Sequence, residues 1–158
     1  MYHSPLAILV ILSAVLAAPF ALWKGDMAAR IAGLGSALNA LLLPASRIVL
    51  QQHVGEVLQL AADFVWAIGL LMLVVRFAHR WLGVTMLLQA VQFSLHAYYL
   101  VMERPTDHLH AWINNLDTLG ISFSIVAGTI LAWRRRTVFA REEAELQARR
   151  RQRGMSVA

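Results

Sequence analysis

Six polar side chains recur along one apolar stretch at intervals of four, three, four, three and four residues. At about 100° per residue, this spacing places them on one narrow face of a helix. The face combines amide, imidazole, phenol and carboxylate groups, so it could form hydrogen bonds, bind a cation or carry a proton. The six residues are Thr85, Gln89, Gln92, His96, Tyr99 and Glu103.

Ionisable side chains on three separate apolar stretches lie at a matching depth. Three residues each lie five to seven positions from the end of their own apolar stretch: Asp63, His96 and Asp117. At about 1.5 Å per residue, each therefore lies roughly 8–11 Å inside the apolar layer. The sequence predicts that they converge at one level of a helical bundle. The amides predicted to join them are Gln89, Gln92 and Asn114.

Two hypotheses explain such a cluster. The first is structural, because interhelical hydrogen bonds fix the register of membrane helices at about 0.6 kcal/mol each. The second is a cavity, open to the outside, that binds a cation, a proton or a small polar ligand, since ionisable groups inside a membrane usually mark functional sites. The sequence favours the structural hypothesis only slightly.

A metal site is a narrower version of the second hypothesis. Asp63, His96 and Asp117 would supply one imidazole and two carboxylates, which suit Zn, Mn or Fe(II), and His108 and His110 could add ligands. No ligand pair has the close spacing of a known metal motif. A bis-histidine haem needs two facing histidines at one depth, and only His96 lies well inside a stretch. We therefore expect no haem and predict no cofactor.

The elements that must position these groups are helices in lipid. Hydrophobic residues form 59% of the 158-residue chain and charged residues only 15%. A membrane helix needs about 20 mostly apolar residues, and we predict an all-α bundle of five spans in residues 1–133. The second span is the least certain because it is short and contains Arg30 and Asn39. The spans are Pro5–Trp23, Met27–Leu43 (ending near Pro44), Val57–Val75, Trp81–Met102 and Ala111–Trp133.

Basic residues orient the predicted bundle. Residues 134–158 contain eight arginines and three glutamates, and Lys24, Arg76 and Arg80 lie at the connections that share that side. The positive-inside rule then places the N-terminus outside and the C-terminal tail in the cytoplasm. A cleaved signal peptide is the competing interpretation of residues 1–18, but no Lys or Arg precedes its apolar core.

Small residues at four-residue intervals predict close helix packing. Gly33 and Ala37 form such a seam in the second span, and Gly120, Ser124 and Gly128 form one in the fifth. Packing within the chain is the favoured interpretation, and a homodimer contact is the alternative.

The basic tail is predicted to be helical, with Glu145 four residues before Arg149. Its arginines could contact anionic headgroups, each contributing on the order of 1 kcal/mol. Aromatic residues are not interleaved with them, which argues against nucleic acid as a partner. The arginines concerned are Arg134, Arg135, Arg136, Arg149, Arg150 and Arg151.

The layout resembles that of small multi-pass proteins of bacterial inner membranes, without a motif that carries over any residue or activity. The leading functional hypothesis is a non-catalytic accessory or scaffold subunit that associates with itself or with a larger membrane complex. The alternative is a cation- or proton-linked binding or transport protein that uses Asp63, His96 and Asp117. A metal-dependent membrane enzyme is a third hypothesis.

Overall fold

The computed structural model describes residues 5–49, 52–105 and 107–155, and these form five α-helices. The predicted number and type of elements are confirmed. The helices are α1 (Pro5–Lys24), α2 (Met27–Val49), α3 (Gln52–Phe77), α4 (Arg80–Val101) and α5 (His108–Met155).

The helices pack as a closed ring in chain order. Each helix contacts the next one, α1 closes the ring against α5, and α2 also contacts α5 across the interior. Connections of a few residues force neighbouring helices to run antiparallel. We call the end with the 25–26 and 78–79 connections the tail end, because α5 continues beyond it. The opposite end, with the 102–107 connection, is the loop end.

Local signals explain several helix boundaries. Asp26 caps α2 by accepting the Ala29 N–H at 2.9 Å, and Asp107 caps α5 by accepting the His110 N–H at 2.8 Å. Ala78 and Glu103 follow the ends of α3 and α4 in the left-handed region, with φ of 52° and 49°. A residue in this conformation after a helix stops its propagation.

One predicted helix end was wrong. α2 does not end near Pro44 but continues to Val49, since a proline removes only one hydrogen bond and a packed apolar helix tolerates that loss. The prediction of a helical tail is confirmed as far as Met155. α5 runs unbroken past Trp133 into the basic residues, which are good helix formers.

The distribution of side chains is inverted relative to a water-soluble protein. Large apolar residues point outward, with Val75 77% exposed and Phe123 76% exposed, while Asp63, Thr85 and Gln89 are buried. Within the described residues, three helices are long and apolar enough to cross a membrane: Val54–Phe77, Arg80–Val101 and the apolar part of α5. The apolar parts of α1 and α2, Ile8–Lys24 and Met27–Leu42, are shorter.

Small residues let the helices approach closely. A β-carbon on Gly33 would lie 2.9 Å from the Ala21 Cβ, so α1 and α2 nearly touch there. A β-carbon on Gly35 would lie 2.0 Å from the Trp66 ring, so this indole of α3 fits against α2 only because position 35 is glycine. These contacts bring α1, α2 and α3 close around the polar interior.

Candidate functional site: a buried aspartate and histidine

Asp63 is the centre of the polar interior. Its side chain has no exposed surface, and one carboxylate oxygen, Oδ1, accepts hydrogen bonds from three amide groups. Asn39 Nδ2 on α2 donates at 2.7 Å, Gln59 Nε2 on α3 at 3.2 Å and Gln89 Nε2 on α4 at 3.2 Å. Three helices therefore supply donors that replace the water lost by a buried carboxylate.

His96 binds the other oxygen of the same carboxylate. Its Nδ1 lies 2.5 Å from Asp63 Oδ2, which is within hydrogen-bond distance. The His96 side chain is 11% exposed, so the pair lies at the edge of the buried region. Since Nδ1 is used by Asp63, Nε2 is the ring nitrogen left for exchange of a proton.

Asp117 on α5 is a second buried carboxyl group beside this pair. It is 5% exposed and lies close enough to His96 and Asp63 for an electrostatic interaction with both. Its Oδ2 has no hydrogen-bond partner within the described part of the chain. A charged oxygen without a donor is expensive to bury, so Asp117 is suited to hold a proton.

A small cavity adjoins the cluster on its tail-end side. Its volume is about 30 Å³, enough for a single water molecule. Ser36 and Asn39 line it together with Gln89 and Gln92. Ser36 Oγ and Asn39 Oδ1 are buried and form no hydrogen bond with any described residue, so both are available to a small polar guest.

Titratable groups connect the cluster with the loop end. The His96 and His110 rings lie 5.4 Å apart between centroids, and the His110 and Tyr99 rings 4.7 Å apart. The Tyr99 hydroxyl donates to Asp107 Oδ1 at 2.7 Å. The His110 backbone N–H, followed by this hydroxyl, lowers the pKa of the exposed Asp107 below its usual value. Ionisable side chains therefore extend from the buried pair to the surface.

Polar side chains also continue toward the tail end. Thr85 Oγ1 donates to Ser124 Oγ at 3.0 Å, and Ser124 Oγ donates to the Trp81 carbonyl at 3.0 Å. Beyond them, His79 Nε2 lies 3.2 Å from Asp26 Oδ2 at the end of the bundle. Polar side chains thus recur along α4 beside an apolar core that includes Leu82 and Ile125.

The predicted stripe on α4 faces inward with one exception. Thr85, Gln89, Gln92 and Tyr99 are buried and His96 is nearly so. Glu103 is exposed and does not belong to this face, because α4 ends at Val101 and the chain turns there. Leu88, which is not part of this stripe, also packs against the core, beside Gly120.

The structure brings most of the predicted site residues together. Gln92 Nε2 donates to Asn114 Oδ1 at 3.2 Å, next to the Asp63–His96 pair. In the described ranges, no three His, Cys, Asp or Glu side chains are grouped to hold a metal ion. Asn39 was missed as a site residue. Its signal was a single amide inside an otherwise apolar stretch.

The predicted packing seams lie inside the chain. Ala37 is buried like Gly33, and Ser124 bonds to α4. β-Carbons on Gly120 and Gly128 would meet the α4 side chains Leu88 at 3.0 Å and Trp81 at 2.3 Å.

Of the predicted headgroup-binding arginines, four are exposed on α5, and the side chains of Arg150 and Arg151 lie outside the described residues. The four are Arg134, Arg135, Arg136 and Arg149.

Comparison of the chain with protein-family models, with curated proteins and with solved structures finds no match. The functional interpretation therefore depends on the geometry of the site alone.

Proposed function

We propose that this protein is an integral membrane protein with five crossing helices and a cytoplasmic C-terminal tail. The apolar exterior and polar interior support insertion, since lipid reverses the usual preference for a polar surface. The basic residues support the orientation. Lys24, Arg76 and Arg80 lie at the tail end, from which the arginine-rich part of α5 extends. A bacterial inner membrane suits this arrangement.

Within this bundle, we infer a proton-linked transport or binding function. The observation that carries it is the contact of His96 with Asp63, which has no exposed surface and lies in a bundle with an apolar exterior. When both groups are charged, such a pair has a large desolvation penalty and contributes little net stability. Intramembrane histidines and carboxylates of this kind are typical of proton relays.

A proton fits this site better than a metal ion. Three amide nitrogens and one imidazole nitrogen already point their donors at the Asp63 carboxylate. A cation would need acceptor atoms at those positions. His96 can instead lose and regain a proton at Nε2 while Asp63 keeps its amide donors, and Asp117 is the neighbouring group that can take up a proton.

The proposed proton path connects the Asp63–His96 site with both the loop end and the tail end of the bundle. His110, Tyr99 and Asp107 connect His96 with the loop end. On the other side, the small polar cavity and the Thr85–Ser124 bond lead toward the tail end. A proton crossing the bundle would need a water molecule in that cavity, where Ser36 Oγ and Asn39 Oδ1 could bind it.

Proton flux into liposomes tests this function. With purified protein and an internal pH-sensitive dye, we expect an imposed membrane potential to drive flux. Asp63→Asn and His96→Gln should reduce it about 100-fold, because each removes a group that positions the transferred proton. Glu142→Gln neutralises a carboxylate in the exposed tail and should leave flux unchanged. Flux equal to that of empty liposomes with folded wild-type protein would overturn the proposal.

The second candidate is the accessory or scaffold subunit. The feature that favours it is the last part of α5, exposed from Trp133 to Arg149, which extends past the bundle and leaves Val138, Phe139 and Leu146 uncovered. The glycine seams give it less support, because they already pack within the chain. Such a subunit would co-purify with a stable membrane partner in mild detergent and would be indifferent to Asp63→Asn.

A further inference from the structure

A basic cavity lies at the tail end, beside the first turn of α4. Its volume is about 530 Å³, and the α3–α4 connection and α5 form its sides. We call it the tail-end cavity. Its size falls in the range of ligand-binding pockets in general. Three arginines line it: Arg80, Arg135 and Arg136. Its apolar lining includes Trp81, Leu131 and Phe139.

Among the described residues that line the tail-end cavity, three arginines face a single carboxylate, so the cavity keeps a positive excess. Asp26 is the carboxylate that lines it, and both of its oxygens are used, one by the Ala29 N–H and the other by His79. Among the described residues, Arg80 and Arg135 form no ion pair, and Arg136 donates through one nitrogen to the Lys24 carbonyl. Several guanidinium donors are therefore free for an anion.

The N-terminus of α4 adds to the positive electrostatic potential of the tail-end cavity. His79 precedes the helix without a side-chain hydrogen bond that caps it, and its carbonyl accepts the N–H groups of Leu82 and Gly83. The positive end of the helix dipole also favours an anion there. Arginine forks match phosphate oxygens in geometry as well as in charge.

The apolar walls of the cavity favour a phospholipid over inorganic phosphate as the ligand. The cavity lies where the apolar stretches Val54–Phe77 and Arg80–Val101 end, which is the headgroup level in a membrane-inserted bundle. Trp81 is of the type found at that interface. Inorganic phosphate would use only the arginines, whereas a phospholipid would also use Leu131 and Phe139. Basic pockets of this kind between helices are known to hold anionic headgroups.

We propose that the tail-end cavity binds the phosphate of an anionic phospholipid, with Arg80, Arg135 and Arg136 as its ligands. The inference rests on the proposed membrane insertion but not on proton transport, so either can fail without the other.

Lipid binding by the full chain in detergent tests this inference. We expect phosphatidylglycerol to remain bound in native mass spectrometry and to raise the unfolding temperature, while phosphatidylcholine does so far less. The variant R80Q/R135Q/R136Q should weaken phosphatidylglycerol binding by about tenfold or more. The control R30Q/R104Q/R141Q removes the same charge from exposed positions outside the cavity and outside the predicted headgroup-binding arginines, and it should bind as wild type does.

Three outcomes would overturn it. The first is equal loss of binding in the two triple variants, which would mean that net charge alone attracts the lipid. The second is equal protection by inorganic phosphate at the same phosphate concentration, which would identify a soluble ligand. The third is equal binding of phosphatidylcholine. If the cavity variant does not fold, Arg80→Gln and Arg135→Gln alone should each weaken binding about threefold.

Discussion

Asp63 shows how much a single buried charge demands of its surroundings. Its two oxygens take four hydrogen bonds from Asn39, Gln59, Gln89 and His96, which come from three helices. Each donor sits at a position where an apolar residue would suit the helix equally well. The polar residues are therefore explained by this carboxylate and not by helix formation.

At the residue scale, we predict that Asn39→Leu destabilises the protein. The change keeps the size of the side chain but removes the 2.7 Å hydrogen bond to Asp63, so the free energy of unfolding should fall by about 1–3 kcal/mol. Ser94→Ala is the control, because the exposed Ser94 hydroxyl bonds to the Ala90 carbonyl of its own helix and, among the described residues, to no other helix. Denaturant titration in detergent measures both, and equal effects would contradict the special role of Asn39.

At the element scale, glycine decides which helices can approach. Trp66 lies near the middle of an apolar helix, where a tryptophan has no interface to occupy. Its ring packs against Gly35 of α2, and the Trp81 ring packs against Gly128 of α5 in the same way. In both pairs a large ring occupies the space that a missing side chain leaves, which fixes the register of the two helices.

The helix contacts predict opposite effects for two glycine substitutions. Gly35→Ala should destabilise the bundle by about 1–3 kcal/mol, because the new β-carbon would lie 2.0 Å from the Trp66 ring. Gly83→Ala should be neutral or stabilise by up to about 1 kcal/mol, since a β-carbon there would meet no neighbouring side chain or helix within 4 Å and alanine favours a helix. Unfolding curves measured in one detergent would decide. Comparable losses in both variants would contradict the packing of Trp66 on Gly35.

At the scale of the whole molecule, the arrangement of the helices predicts topology. The chain contains no cysteine, so a thiol reagent can label a single-cysteine variant only at the introduced residue. His108 at the loop end and Glu142 in the tail are exposed on opposite sides of the apolar layer. We expect a membrane-impermeant thiol reagent to label His108→Cys in intact cells, and Glu142→Cys only after lysis.

Val65→Cys is the control that tests insertion itself. Val65 lies on the outer face of α3, where 68% of it is exposed in the isolated chain. In a membrane, lipid covers this position, so it should not react before or after lysis. Labelling of Val65→Cys as fast as His108→Cys would show that water surrounds the bundle, and labelling of Glu142→Cys in intact cells would reverse the proposed orientation.

The sequence by itself determined the number of helices, their approximate limits and the inward face of α4, because periodicity and hydropathy can be read from short stretches of sequence. It also placed Asp63, His96 and Asp117 at one depth, since the helical rise converts residue number into height. Only the tertiary structure decided which of them touch. The rotation of each helix about its axis depends on contacts such as Trp66 on Gly35, and these join residues far apart in the chain. For the same reason, the donor role of Asn39 and the tail-end cavity emerged only when the five helices were packed together.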